Sequence, residues 1–464
     1  MSKFHPWRCY LVFGILLSMP TTFLLAQGKA ISLSDLILAS KNYYPSIQQK
    51  NAELNRAKAS AIEIKHSFLP QLKFNDQINI GSDNSLAGSY LPIGITPSTS
   101  SGIRGDNNMQ AVSGNIAVLY SEYELVNFGL NKARLNNEDA IIRLGVADVN
   151  LESYALTIAV AKTYFQLLKI QNRLDVDQQN VDRYLSVFNV IHALSSSGLI
   201  AGVDSSLAKA ELSKARMNYQ QTLGTQMQLK IQMSALTGLP SLGINLQRLL
   251  ISDLNTSGQF EKLNGDSVTN PLLDYFQKKK EIFISNQKLI AKAYLPKIIL
   301  AGSTWARGSS IQYNDQYKEL GAGLGYQRFN YSFGVGFTYN LFNGIYKKDK
   351  LLTNKYQLES SDFDLQKQKL TLNTGILQSE SVLLTAEKNL QELPIQLNAA
   401  EDVYRQKMAQ YRAGIISLID LTNASFVLYR SQTDYLEVIT DWYLAQINKS
   451  AFNGTLEQFL QSIK

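Results

Sequence analysis

The chain has 464 residues, 18% of them charged and 10% aromatic, with 24 tyrosines. That is too apolar and aromatic for a disordered protein and long enough for one large domain or two to three smaller ones. Mean hydropathy is −0.13, and no run of eighteen apolar residues follows residue 26, so no membrane-spanning helix is expected. The formal charge of +7 is spread along the chain and reads as solvated surface, not as a nucleic-acid patch.

The first residues read MSKFHPWRCYLVFGILLSMPTTFLLAQGKA. Lys3 and Arg8 precede a mainly apolar run from Leu11 to Leu25, and Leu24-Leu25-Ala26 offers a cleavage site before Gln27. This predicts a secretory signal over 1–26. Removing Lys3 and Arg8 leaves 43 basic against 38 acidic side chains. Cys9, the only cysteine, lies before the apolar run, so a cleaved chain has no disulfide, thiolate metal site or cysteine nucleophile.

The first strand is expected at 71–81, QLKFNDQINIG, where Leu72, Phe74, Ile78 and Ile80 alternate with polar residues and Asp76 interrupts the apolar series. A weaker alternation at 115–125 completes a hairpin of about 71–125. A helical pattern follows from about Asn131 to Leu194. Ile142, Val146, Val149, Leu156, Val160, Leu167, Ile170, Leu174, Val181, Tyr184, Phe188 and Ile191 keep heptad steps, broken only by Ser153, Thr163 and Asp177. A heptad sustained this long argues coiled coil, and some 64 residues would reach roughly 95 Å. After the corner SSSGLIAGVDSSLAK at 195–209, a returning helix is expected from Ser205 to about Leu236. The segment 239–270, rich in Gly, Ser, Asn and Pro, reads as a linker forming a mixed collar around the helices.

The second part repeats the plan. A strand at 297–308 precedes a Gly-rich stretch, LGAGLGYQ at 320–327. That stretch opens no helix, so it does not read as a phosphate loop. In YSFGVGFTYNLF at 331–342, Tyr331, Phe333, Val335, Phe337, Tyr339 and Leu341 share one face and small or polar residues the other, the period-2 pattern of a strand. Helices from Lys347 to Tyr411 and Leu421 to about Asn448 follow, with a kink expected at Pro394, which lacks an amide donor. Between them lies the corner YRAGIISLIDLTNAS at 411–425.

These correspondences amount to a duplication. Leu69-Pro70 matches Leu295-Pro296. Tyr123, Leu125 and Asn127 match Tyr339, Leu341 and Asn343 at an offset of 216, and Gly198, Asp204 and Tyr219 match Gly414, Asp420 and Tyr435 at the same offset. A fixed length between landmarks points to packed helices, because loops tolerate insertion. The expected organisation is a leader at 1–26, a first repeat at 27–238 (strand hairpin about 71–125, helical hairpin about 129–238), an equatorial linker at 239–270 and a second repeat at 271–464. The second repeat holds a strand hairpin at about 297–342, a helical hairpin at about 346–448 and a C-terminal equatorial segment.

Alternation alone fits a soluble sandwich as well as a membrane barrel; the leader favours an outer-membrane barrel. Four strands cannot close a barrel, and open edges are very costly in lipid, so membrane hairpins would require several chains to share one barrel.

The leader, the duplicated Leu-Pro before a strand, YNLFNG and YRAGIISLIDLTNAS, in this order and spacing, resemble the TolC-type outer membrane efflux protein family (outer membrane factors). The resemblance covers essentially the whole chain after the leader. It implies a mainly α fold with a membrane β-barrel part. Strand hairpins and long coiled-coil helices are duplicated, and a homotrimer shares a twelve-stranded β-barrel continued by a periplasmic α-barrel. It also implies a passive conduit in the outer membrane of a Gram-negative bacterium. The partners would be a periplasmic membrane-fusion adaptor, an inner-membrane pump of RND or ABC type, and outer-membrane lipid. By the same resemblance, Gly198, Leu199, Gly414 and Ile415 mark the tips that meet the adaptor. Asp420 occupies the place of an acid that rings the pore, and Asn423 stands where a second acid is found. Asp204 and Tyr411 match an acid and a tyrosine linked in the closed iris, while Ile416 replaces the arginine of that link. A plainer reading makes Asp204 and Asp420 helix N-caps.

No catalytic residue, cofactor or metal site is expected: His66 and His192 have no metal-ligand spacing, and the chain does not read as an enzyme. The alternative function is a soluble periplasmic coiled-coil adaptor or scaffold, which would need the helices but no lipid-facing alternation.

Overall fold

The structure, a computed structural model, describes residues 30–86, 102–246 and 270–463. The expected leader at 1–26 and residues 247–269 of the expected linker lie outside them. In chain order the elements are α1 (Leu33–Tyr43), α2 (Pro45–His66), β1 (Gln71–Gly81), β2 (Val112–Val126), α3 (Leu130–Ser196), α4 (Gly202–Thr237), α5 (Pro271–Ala293), β3 (Lys297–Ser309), β4 (Ile311–Gln312), β5 (Gln316–Tyr317), β6 (Arg328–Thr338), α6 (Asn343–Arg412), α7 (Leu418–Asn453) and α8 (Leu456–Ser462).

Both halves use these elements in the same order. α2 and α5 each begin on a proline at the first helical position, Pro45 and Pro271, where the missing N–H has no intrahelical partner to lose. Each leads through Leu-Pro into a strand. The helical hairpins match still more closely: α3 and α6 end at Ser196 and Arg412, α4 and α7 start at Gly202 and Leu418, and they end at Thr237 and Asn453. Each of these pairs lies 216 positions apart. α6 runs through Pro394 as one helix of 70 residues, so the missing amide there does not divide it.

Sequence periodicity did not reveal α1, α2 and α5, which pack along the long helices α3 and α6. Their reason is visible in the packing. α1 starts from a capping box in which Ser32 and Asp35 bond reciprocally, and its Leu33 and Leu36 are buried against α3. Lys50 of α2 bridges to Asp148 of α3 at 2.8 Å.

The main core lies at mid-height. Leu156, Val160, Phe165 and Leu167 of α3 meet Met233 of α4, Trp442 and Tyr443 of α7, and Leu456 and Phe459 of α8. The Phe165 and Tyr443 rings stack at 4.4 Å. The start of the linker joins this layer: Ile244 and Leu246 are buried in it, and Ile31 bridges to Leu246. Among the described residues one helix, α3, is by length and composition apolar enough to cross a membrane, a test that a core helix also passes. Here α3 supplies one wall of this core, touching α1, α2, α4, α5 and α7.

The sheet is antiparallel with order β1-β2-β3-β6. Its register puts Phe74, Leu119, Thr304 and Tyr331 in one row, and Leu72, Ser121, Gly302 and Phe333 in another on the same face. The opposite face carries Lys73, Asn75, Tyr120, Ser303, Arg328 and Ser332, because successive strand residues point to opposite sides. Phe74, Phe329, Tyr331, Phe333 and Phe337 are all at least 68% exposed. A water-facing sheet would place such a face against a core. β1 and β6 are the outer strands, each paired on one side only. β6 ends at Thr338, short of the expected 342. Its last partner is Lys297, and the preceding Pro296 has no N–H to extend the ladder.

Candidate gate and docking tips

The two helical hairpins turn through the same backbone motif. In the first, Ser197 N bonds to Ala193 O at 3.1 Å, and Leu199 N reaches back to Leu194 O at 3.0 Å. In the second, Ala413 N bonds to Ala409 O at 3.1 Å, and Ile415 N reaches Gln410 O at 2.9 Å. Gly198 and Gly414 both sit at φ +73°, the left-handed conformation that closes a Schellman turn and favours glycine. The residue after each glycine is thrown outward: Leu199 and Ile415 are each 72% exposed. Val203 and Ile419, one turn on and again 216 apart, are exposed as well. Each tip therefore presents an aliphatic pair to solvent.

The tips differ in how their second helix begins. Ser417 is the N-cap of α7, and Asp420 is the third helical residue. The Ser417 hydroxyl accepts from Asp420 N, and Asp420 Oδ2 accepts from Ser417 N at 3.2 Å and from Ser417 Oγ at 2.7 Å. Asp420 thus belongs to a capping box and is not the N-cap of the plainer expectation. These hydrogen bonds, with the charge of Lys407 behind them, hold its carboxyl below the ordinary aspartate range. At the other tip, Ala201 is the N-cap of α4 and contributes no side-chain bond. Asp204, also third in its helix, has no hydroxyl to engage.

Asp420, Asn423, Val427 and Arg430 are exposed on one face of α7. Asp204 is half-buried and near Tyr411, whose phenol is pushed up by burial and by the Asp204 charge; no hydrogen bond joins the two. Ile416 is half-buried where an arginine was expected by analogy. Arg412 acts on Tyr404, farther back along α6. The structure therefore brings Asp204 and Tyr411 together, sets Asp420 and Asn423 on a separate outward face, and puts Gly198, Leu199, Gly414 and Ile415 at the extreme ends.

Two features above the tips were not singled out as a site in the sequence. The first is an apolar cluster uniting all four long helices: Val187 and Ile191 from α3, Ala208 from α4, Leu418 and Leu421 from α7, with Tyr404, Met408 and Tyr411 of α6 against them. The second is a pair of polar joints. Asp177 is 1% exposed. It accepts from Thr222 Oγ1 of α4 at 2.5 Å and from Tyr429 OH of α7 at 2.7 Å. Arg183 lies 5.8 Å from the Tyr404 ring centre and donates to Asn180 and to Gln432 of α7. The sequence signal was Asp177 itself, a carboxylate breaking the heptad series.

Among the described residues no cluster of His, Cys, Asp and Glu is arranged to hold a metal ion. The geometry is that of a long helical shaft with two apolar tips, joined at its other end to a sheet with one lipid-compatible face. This defines a membrane-anchored, shaft-forming protein. The sequence matches the outer membrane efflux protein family over residues 36–239 and 287–449, and the chain belongs to that family. It is an outer-membrane protein and an efflux channel of that class. Among solved structures, the Campylobacter jejuni CmeC outer membrane channel is similar at 13% identity and TM-score 0.71, covering 93% of this chain and 88% of that one. The open state of the Neisseria gonorrhoeae MtrE outer membrane channel is similar at 17% identity and TM-score 0.67, over 91% and 89%. The Vibrio cholerae outer membrane protein VceC is similar at 13% identity and TM-score 0.68, over 91% and 96%. No curated protein matches the sequence.

Proposed function

We propose that this chain is one subunit of a homotrimeric exit duct. It would receive substrates from an inner-membrane pump of RND or ABC type through a periplasmic membrane-fusion adaptor and release them outside. The open sheet carries this reading. It has two unpaired edges and one apolar face, and it is stable in lipid only if β1 of one copy pairs with β6 of another. Three copies of four strands make a twelve-stranded barrel, and the shafts below make the α-barrel. The chain would divide into a leader at 1–26, repeats at 27–238 and 271–464, and an equatorial linker between them. It performs no catalysis of its own in this reading.

The tips take two tasks. The aliphatic pairs Leu199/Val203 and Ile415/Ile419 dock the adaptor, and Gly198 and Gly414 give the turns that expose them. Three copies of Asp420, with Asn423 one turn on, ring the narrow end and favour cations. The closed iris is held by the apolar cluster at Val187, Ile191, Leu418 and Leu421 and by the joints at Asp177 and Arg183. Asp204 and Tyr411 sit at its margin. This arrangement supplies by packing what the substitution at Ile416 removes in ion pairing.

The test is the solution state. Membranes extracted in detergent should yield a complex of three chains. A monomer that stays soluble without detergent would support the scaffold alternative and end the duct reading.

A further inference from the structure

The Gly-rich stretch at 320–327 does not extend away from the sheet. It folds back onto one face of it. The Ser113 hydroxyl donates to Leu320 O, Asn115 Nδ2 donates to Leu324 O at 2.8 Å, and Tyr326 OH donates to Asp76 Oδ2 at 2.8 Å. The glycines make the approach possible: a Cβ at Gly308 would collide with Gly325 O, and one at Gly323 with Ser113.

The face so covered is the apolar one. Ser113, Asn115 and Asp76 alternate with the polar face's residues and share their side with Phe74, Leu119 and Tyr331. They are polar interruptions at the upper end of that face, and Ser113 and Asn115 are buried by the segment. Height is set by the strands. From Lys297 to Arg307, an advance of about 3.3 Å per residue at a tilt of about 40° climbs roughly 25 Å, the height of an outer-membrane apolar band. The row Asp76–Ala117–Ala306–Phe329 marks its upper end, and there the segment is attached. Just below it lies a shallow apolar groove of about 420 Å³, floored by Ala117, Thr304 and Ala306 between Phe74 and Phe329. Leu320, Leu324 and Tyr326 remain 41–49% exposed.

We propose that residues 320–327 form an interfacial strap on the lipid side of the barrel, which seats Leu320, Leu324 and Tyr326 against outer-leaflet lipid at the boundary between headgroups and acyl chains. The strap buries Ser113 and Asn115, gives Asp76 a hydrogen-bond partner where hydrocarbon ends, and continues that face upward with aliphatic and tyrosine side chains suited to the boundary. The inference rests on the membrane-barrel reading above.

Spin labels test it, since Cys9 of the expected leader is the only native cysteine. Leu324→Cys, Phe333→Cys and Tyr313→Cys are labelled separately in the full protein reconstituted in phosphatidylcholine vesicles. Collision with oxygen, which enters the bilayer, is compared with collision with a water-soluble nickel chelate. Phe333 lies in the middle of the apolar face, and Tyr313 is 89% exposed in the β4–β5 turn. The expected oxygen-to-chelate ratio at 324 lies between the two references and several-fold above that at 313. A ratio at 324 equal to that at 313, with 333 still lipid-like, overturns the strap. A water-like label at 333 overturns the membrane reading and the strap with it.

Discussion

Asp177 and Tyr429 meet at 2.7 Å across the seam between the first-repeat helix α3 and the second-repeat helix α7. The carboxylate is buried, and a buried acceptor stripped of its donor costs about 1–3 kcal/mol. Tyr429→Phe keeps the ring and removes the donor, so it should lower the melting temperature and loosen the seam. Planar-bilayer recordings should show more frequent large-conductance openings than the parent. Unaltered openings with a lowered melting point would make the joint structural only.

Asp420→Asn and Ser417→Ala separate charge from capping. The first removes the charge and should weaken cation selectivity and block by divalent cations. The second keeps the charge and should leave selectivity intact while the first turn of α7 exchanges its amides faster. Selectivity unchanged in Asp420→Asn would leave Asp420 as a capping-box residue alone.

The same carboxyl sets a pH dependence. Its Ser417 bonds hold it below the ordinary aspartate value of 3.8. The cap's contribution is therefore complete above that value and lost only as pH falls through the lower folded one. Amide exchange in the first turn of α7 should therefore stay slow through pH 4 and quicken only below the ordinary range. Hydrogen exchange across a pH series checks this; a first turn that already frays at pH 5 would contradict it.

Phe333 and Ser332 lie on opposite faces of β6. Phe333→Arg places a charge at mid-height on the apolar face and should destabilise the barrel in vesicles by about 2–4 kcal/mol. Ser332→Arg, on the polar face, should fold normally and alter conductance. Equal tolerance of both changes would exclude a lipid-facing Phe333.

Gly414 and Ile415 part backbone from docking. Gly414→Ala imposes a left-handed conformation on a residue with a Cβ, at about 1–2 kcal/mol, and should fray the tip. Ile415→Asp should leave the fold and the proposed assembly intact and abolish capture of the cognate adaptor in a pull-down. Retained capture would remove Ile415 from the docking surface.

Much of this architecture was legible without coordinates because it is periodic. Alternation along 71–81 located β1 to the residue, and the heptads of α3 and the constant offset of 216 anticipated the helical hairpins. The Gly198 and Gly414 corners were legible too, since few residues but glycine turn a Schellman motif. α1, α2 and α5 were not, because their apolar residues serve a neighbour already in place and need no long repeat. Asp420 was legible as an acid in the first turn. Its pairing with Ser417 depends on cap geometry, which composition does not specify.

The sequence by itself determined the constant offset of 216, the strand and helix periods and the two turning points. These are local or repetitive properties, written in spacing. Only the tertiary structure decided that Asp177 finds Tyr429 252 positions away, that Tyr411 joins an apolar cluster drawn from four helices, and that residues 320–327 return to the apolar face of the sheet. Such pairings depend on which faces meet once distant segments pack, and spacing along the chain carries no record of that.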